Sequence, residues 1–206
     1  MTRDDVRETL ILAARSAANL TSDGEKARLL NEVASRYVRD DSLRTAYLRS
    51  VRTVVSDGSK SALLQALIRR DTMDARGFVA VVRVAREVVS DGDKARILKA
   101  LAARYALTDS AARRAYFGAA GEIVSEGDRR AVLLAAMPVG APREVALAVI
   151  KAAESMVSGR DRGDVLLAVV ERASLADAEV RRAFFKALEG MSSDSDYRRV
   201  MAAVMR

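Results

Sequence analysis

The chain has no cysteine, no histidine and no tryptophan, and only two prolines in 206 residues. Without cysteine there are no disulfides, and without both Cys and His there are no zinc sites built from them. Triads and acid–base catalysis that depend on imidazole are excluded as well. Aromatics make up only 4% of the chain, so Ala, Leu and Val carry most of its 50% hydrophobic content. Strong helix formers dominate and breakers are scarce, which argues for an all-α protein. No apolar run reaches the roughly 18 residues a membrane-spanning helix needs. The start, MTRDDVRETLILAARSAANL, has Asp4, Asp5 and Glu8 where a secretory signal needs a clean apolar core. A cytoplasmic or otherwise soluble location is therefore expected. No cofactor motif is present, and none is expected.

What is present is a repeat. Ser22-Asp23-Gly24-Glu25-Lys26-Ala27-Arg28-Leu29-Leu30 recurs as SDGSKSALL from Ser56, SDGDKARIL from Ser90 and SEGDRRAVL from Ser125. It blurs into SGRDRGDVL from Ser158 and SDSDYRRVM from Ser193. The spacings are 34, 34, 35, 33 and 35 residues. Self-similarity at this period marks a stacked array, in which each unit buries its apolar face on its neighbours. One α-solenoid domain over 1–206 is expected, with two-helix repeats at 22–55, 56–89, 90–124, 125–157 and 158–192. Half-repeats at 1–21 and 193–206 bring the total to about twelve helices. A right-handed superhelix is the expected form.

Helix boundaries follow from breaks in the pattern. Residues 3–20 read as one helix, the second half of an incomplete repeat. The first repeat predicts helix A over 23–38 and helix B over 42–55, divided by Arg39-Asp40-Asp41-Ser42. The second predicts helices over 57–69 and 73–89, with Asp71-Thr72-Met73-Asp74 spaced as a capping box. The third predicts 91–105 and 110–124 around Leu107-Thr108-Asp109. In the fourth, helix A stops before Met137-Pro138-Val139-Gly140, and Pro142 falls in the first turn of helix B. The fifth predicts 159–173 and 176–191, with Ser174-Leu175-Ala176-Asp177 as another capping box. The tail is a lone helix A.

Columns across the repeats define the core. The seventh and eighth residues after each serine are apolar, for example Leu63/Leu64, Ile97/Leu98 and Val165/Leu166. Tyr47/Leu48, Val81/Val82, Tyr116/Phe117, Val149/Ile150 and Phe184/Phe185 mark mid helix B. Small residues such as Ser50, Ala85, Ala119 and Ala153 follow one turn later and permit close helix approach. Tyr47 and Tyr116 have a second reading, as an aromatic binding stripe.

In the recurring turn, Ser22, Ser56, Ser90, Ser125, Ser158 and Ser193 have the position of helix N-caps. An acid three residues on, missing only after Ser56, is placed to reach back to the cap's own N–H. The acids directly after the serine, such as Asp23 and Asp57, favour the positive end of the helix dipole. The spacing lacks the ligand pattern of a calcium loop, and no strand or upstream glycine makes it a phosphate-binding loop. The basic column Lys26, Lys60, Lys94, Arg129 and Arg162 reads as an exposed inter-repeat charge ladder, or else as a basic edge for an acidic partner.

The two-helix unit has the length of a tetratricopeptide repeat without that family's Trp-Leu-Gly-Tyr pattern. Its Val/Ile-x-Ser-Asp-x-Asp/Glu-Lys/Arg-x-x-x-Leu signature, over residues 20–206, resembles HEAT-like bacterial α-solenoid repeats. Some of these accompany membrane metallopeptidases of the beta-lactam-sensor type. That resemblance implies a scaffold and carries no catalytic residue over, because the peptidase needs a His-Glu-x-x-His helix. HEAT-like DNA glycosylases are a second analogy, at the level of fold alone.

The net charge is +7, with +2 in each of the three repeats spanning 22–124 and +1 in the tail. Three functions follow as expectations. The first is a non-enzymatic scaffold that binds a protein or peptide on its curved surface. The second is a nucleic-acid-binding array using Arg44, Arg49, Arg52, Arg76, Arg83, Arg86, Arg113 and Arg114. The third is a regulatory or sensor segment of a longer bacterial protein.

Overall fold

The computed structural model of the protein describes residues 2–37, 39–191 and 193–205. Met1, Val38, Ser192 and Arg206, which the repeat pattern places at ends of helices or repeats, lie outside the described residues. Among those described there are twelve α-helices and no strand. The first compact unit, Met1–Arg104, contains α1 (Arg3–Ala17), α2 (Asp23–Ser35), α3 (Asp41–Arg52), α4 (Asp57–Arg70), α5 (Ala75–Ala85) and α6 (Asp91–Ala102). The second, Tyr105–Arg206, contains α7 (Ser110–Gly121), α8 (Glu126–Ala135), α9 (Arg143–Glu154), α10 (Gly159–Arg172), α11 (Ala178–Glu189) and α12 (Asp194–Val204). The boundary falls between the two helices of the third repeat.

Within each unit alternate helices pack on one another, and most helices also pack on a sequence neighbour. In the first unit α1, α3 and α5 form one layer, and α2, α4 and α6 form the other. In the second unit α7, α9 and α11 form one layer, and α8, α10 and α12 form the other. The serine motif opens every helix of the even-numbered layer, the A helices. The odd-numbered helices are the B helices.

The core columns lie between the layers. Leu63, Leu64, Ile97, Leu98, Val132, Leu133, Val165 and Leu166 are all fully buried. Each contributes about 1.5–3 kcal/mol relative to exposure. In α2 and α12, each packed on a single A helix, only one of the pair is buried. Leu30 and Val200 are inside, while Leu29 and Met201 are half-buried. Tyr47 and Tyr116 are also interior. Their hydroxyls donate to the main-chain carbonyls of Leu63 (3.0 Å) and Val132 (2.9 Å), and burial pushes both phenols well above their ordinary pKa. The stripe reading of these tyrosines is thereby corrected. Each is a core ring whose one polar atom is satisfied.

Both sets of caps are resolved. Ser22, Ser56, Ser90, Ser125, Ser158 and Ser193 each accept from the N–H three residues on, at 3.2–3.4 Å. The B helices α3, α5, α7 and α11 use aspartate instead, at Asp40, Asp74, Asp109 and Asp177. The boxes expected at 71–74 and 174–177 are thus corrected, because the fourth residue is itself the cap. Its carboxylate is charged and accepts up to two first-turn N–H groups, as Asp177 does from Glu179 and Val180.

B helices end earlier than the apolar pattern suggests, at Arg52, Ala85 and Gly121. A short non-helical link then alternates inward and outward before the serine. Val54 and Val88 are buried, while Val55 and Val89 are more than 80% exposed. The fourth repeat differs in its turn. Gly140 has φ +71°, a left-handed conformation that favours glycine. Pro142 stands just before the first helical residue, Arg143, one place earlier than expected. The turn is held from α10: the Arg172 guanidinium donates to Leu134 O (3.2 Å) and Met137 O (3.1 Å), and Ala141 N–H donates to Arg172 O (2.9 Å).

Candidate partner-binding surface

Two charged positions of the motif, the acid after the serine and the basic residue four after it, are used by the fold. Asp23 Oδ2 accepts from Val55 N–H (2.8 Å) and Ser56 N–H (2.9 Å), one repeat downstream. Asp57 Oδ2 does the same for Val89 (2.9 Å) and Ser90 (2.8 Å). In the second unit Glu126 Oε2 accepts from Ser158 N–H at 3.4 Å. The N–H of the capping serine is therefore satisfied by the preceding repeat. For Ser90 this corrects the expected reach-back of Asp93. The Ser56 N–H, with help from Val55, holds the Asp23 carboxyl below its ordinary pKa against the opposing effect of desolvation. Gly159 stands where the acid is missing in the fifth repeat, and a Cβ there would meet Ser193 Cβ at 3.1 Å.

The basic column is neither an exposed ladder nor an exposed edge. Lys26, Lys94, Arg129 and Arg162 are buried, and Lys60 is half-buried. Lys26 Nζ donates to Thr53 O (2.7 Å), and Arg129 Nη2 donates to Ala152 O (3.0 Å) and to Ser155 Oγ. Arg162 donates to Gly190 O (3.0 Å) and to Ala187 O. All these carbonyls lie at the C-terminal end of the following B helix, where acceptors are unpaired and the dipole is negative. A long cationic side chain on the A helix thus caps its own partner helix. A true inter-repeat ladder exists elsewhere: Asp164 sits between Arg130 (2.5 Å) and Arg199 (2.7 Å).

Among the arginines expected to contact a partner, Arg44 is buried. Its Nε lies 2.6 Å from Asp71 Oδ2 and its Nη1 lies 2.6 Å from Asp41 Oδ1. Tyr37 donates to the same Asp71 oxygen at 3.1 Å. Asp71 is wholly inaccessible to solvent. Burial works against the Arg44 charge, but Asp71 outweighs it and raises the guanidinium pKa. Gly77 makes room for this ion pair, since a Cβ there would come within 2.9 Å of the guanidinium carbon. The network braces α3 against the end of α4, with Gly77 in the first turn of α5 leaving space for it.

Above it lies an open cleft of ≈ 390 Å³ between α3 and α5. Arg49, Arg52, Arg76 and Arg83 line it, with Leu48 and Ala80 among the apolar lining residues. Arg52 is paired with Glu87 at 3.0 Å. Arg49, Arg76 and Arg83 are exposed and have no carboxylate partner among the described residues. The cleft is therefore cationic, its lining carboxylate Asp41 being paired with Arg44, and it suits a carboxylate or phosphate flanked by a small apolar group. Arg86, the C-cap residue just past α5, is exposed. Arg15 of α1 was not visible as a candidate, because residues 1–21 have no net charge. It lines the adjoining cleft with Arg49.

The second unit has its own cleft of ≈ 420 Å³, where Arg114, Phe117 and Lys151 come together. Arg113 also lines it, but donates to Leu107 O (3.0 Å) and Thr108 O (2.8 Å), which closes the turn before α7. Among the described residues no group of three or more Asp and Glu is arranged to hold a metal ion, and no helix is long and apolar enough to cross a membrane. The class defined by this fold is an all-α, solenoid-like repeat protein with cationic clefts on its B helices. No protein-family model, no curated protein and no solved structure matches the chain.

Proposed function

We propose that this protein is a non-enzymatic binding module that takes an acidic protein or peptide segment on the B-helix face of its first unit. The observation that carries this reading is the set of unpaired arginines, Arg49, Arg76 and Arg83, around one cleft with aliphatic lining. Guanidinium forks match carboxylates, and three in one cleft attract an anionic chain before contact. The HEAT-like kinship belongs to the same reading and rests on the repeat signature. Binding of a short fluorescent oligo-glutamate, followed by anisotropy at low salt, tests it. The wild type is expected to bind, and Arg49→Glu/Arg83→Glu is expected to lose at least about tenfold in affinity. Equal binding by the two proteins overturns the reading.

A second reading, nucleic-acid binding, draws on the second unit. There Phe117 lies in one cleft with Arg114 and Lys151, a combination suited to stacking a base beside a phosphate. A mobility-shift titration with single-stranded DNA checks it. Retarded complexes that dissolve steeply with salt and weaken in Phe117→Ala support it, and no shift at low salt removes it.

A further inference from the structure

A register links the B helices of the first unit. The residue seven positions before the motif serine is Arg15 in α1, Arg49 in α3 and Arg83 in α5. All three are exposed, and none has a carboxylate partner among the described residues. α1 packs on α3, and α3 packs on α5. Arg15 and Arg49 line one cleft (≈ 270 Å³), and Arg49 and Arg83 line the next (≈ 390 Å³), so the row is continuous. Helices packed this way stand roughly 8–10 Å apart, so the backbone positions that carry the three arginines, in the same register on successive helices, repeat at about that interval.

That interval selects a ligand conformation. A polyproline II chain has three residues per turn and rises about 3.1 Å per residue, so side chains of every third residue share one side about 9 Å apart. In a β-strand, residues three apart point to opposite faces. The row also lacks a stacking surface: among the described residues neither cleft is lined by an aromatic ring, and Thr45, Ala46 and Ala80 lie between the arginines. Single-stranded nucleic acid draws much of its affinity from such rings.

We propose that Arg15, Arg49 and Arg83 form a site for an acidic segment in the polyproline II conformation, with a carboxylate at every third residue, running across α1, α3 and α5. The inference rests on the reading that this face binds an acidic partner, and it adds conformation and spacing. Its test compares three fluorescent peptides of equal length and charge, with Glu at every third residue, at every second residue, or in one block. The every-third peptide is expected to bind the wild type several-fold tighter than the others. Arg15→Gln/Arg49→Gln/Arg83→Gln is expected to remove that preference and to lose about tenfold or more in affinity. Helicity by circular dichroism should be unchanged, since all three side chains are exposed. If the triple variant loses helicity, the three single variants replace it, each expected to weaken the every-third peptide by about threefold. Equal binding of all three peptides by the wild type overturns the spacing and leaves the acidic-partner reading standing. If no peptide binds, both fall. Oligothymidylate that binds tighter than every peptide and loses affinity in the triple variant also overturns both, in favour of nucleic acid.

Discussion

Asp71 shows how much of this surface depends on groups no partner can touch. It is buried under the cleft, holds Arg44 and accepts from Tyr37. Removing one partner of a buried ion pair leaves the other charge uncompensated, which costs more than the pair itself contributes. Asp71→Ala should lower stability by about 3 kcal/mol in a urea melt, the low end for such a loss, because Asp41 stays with Arg44. Arg44→Met/Asp71→Leu should recover most of that. If the single variant costs nothing, Arg44 is not confined as described. The sequence shows Arg44 as one arginine among many; Asp41, three residues earlier, is a local partner that Arg49 lacks, but nothing local distinguishes a buried Arg44 from an exposed Arg49. The distinction comes from Gly77 and Asp71, 33 and 27 positions away, which form its pocket only when α3 meets the end of α4 and the start of α5.

At the scale of the element, the recurring turn is a three-part joint. Its serine caps the A helix, its acid receives the main chain of the next repeat, and its basic residue caps the following B helix. The first part was legible, because a cap works within four residues and leaves a local signature. The other two act over 23–33 residues and look like surface charge until the helices are placed. Helix type and number were equally legible from the apolar columns. The B-helix ends were not, because Val54 and Val55 continue the apolar run while the backbone has already left the helix. The acid makes the joint sensitive to pH. The pKa of Asp23 is lowered in the folded state, so its stabilising effect is complete above the unfolded value of about 3.9 and is lost as pH falls through the lower folded value. Asp23→Asn should therefore be less stable than the wild type at neutral pH, and the two should converge in acid. Amide hydrogen exchange at Val55 and Ser56 should quicken in the variant at neutral pH. Unchanged exchange there would contradict the joint.

At the scale of the whole molecule, charge is divided by role. Motif cations such as Lys26, Arg129 and Arg162 are buried and satisfy the scaffold. Exposed cations of the first unit with no carboxylate partner among the described residues stand on both layers, with Arg28, Arg69, Arg70 and Lys99 on A helices; those on the B helices, Arg15, Arg49, Arg76 and Arg83, line the two adjoining clefts. Net charge by segment located the surplus in 22–124 but could not assign it to a face, and it hid Arg15 among compensating acids. The central claim is that binding belongs to the B-helix face and not to the motif. The most direct measurement is the affinity of the every-third-glutamate peptide for three proteins: wild type, Arg49→Gln/Arg83→Gln and Lys60→Gln. The account predicts a loss of about tenfold for the arginine pair and a change within about twofold for Lys60→Gln, whose side chain is half-buried in the motif column. A large loss at Lys60 with no loss at the arginine pair would contradict it.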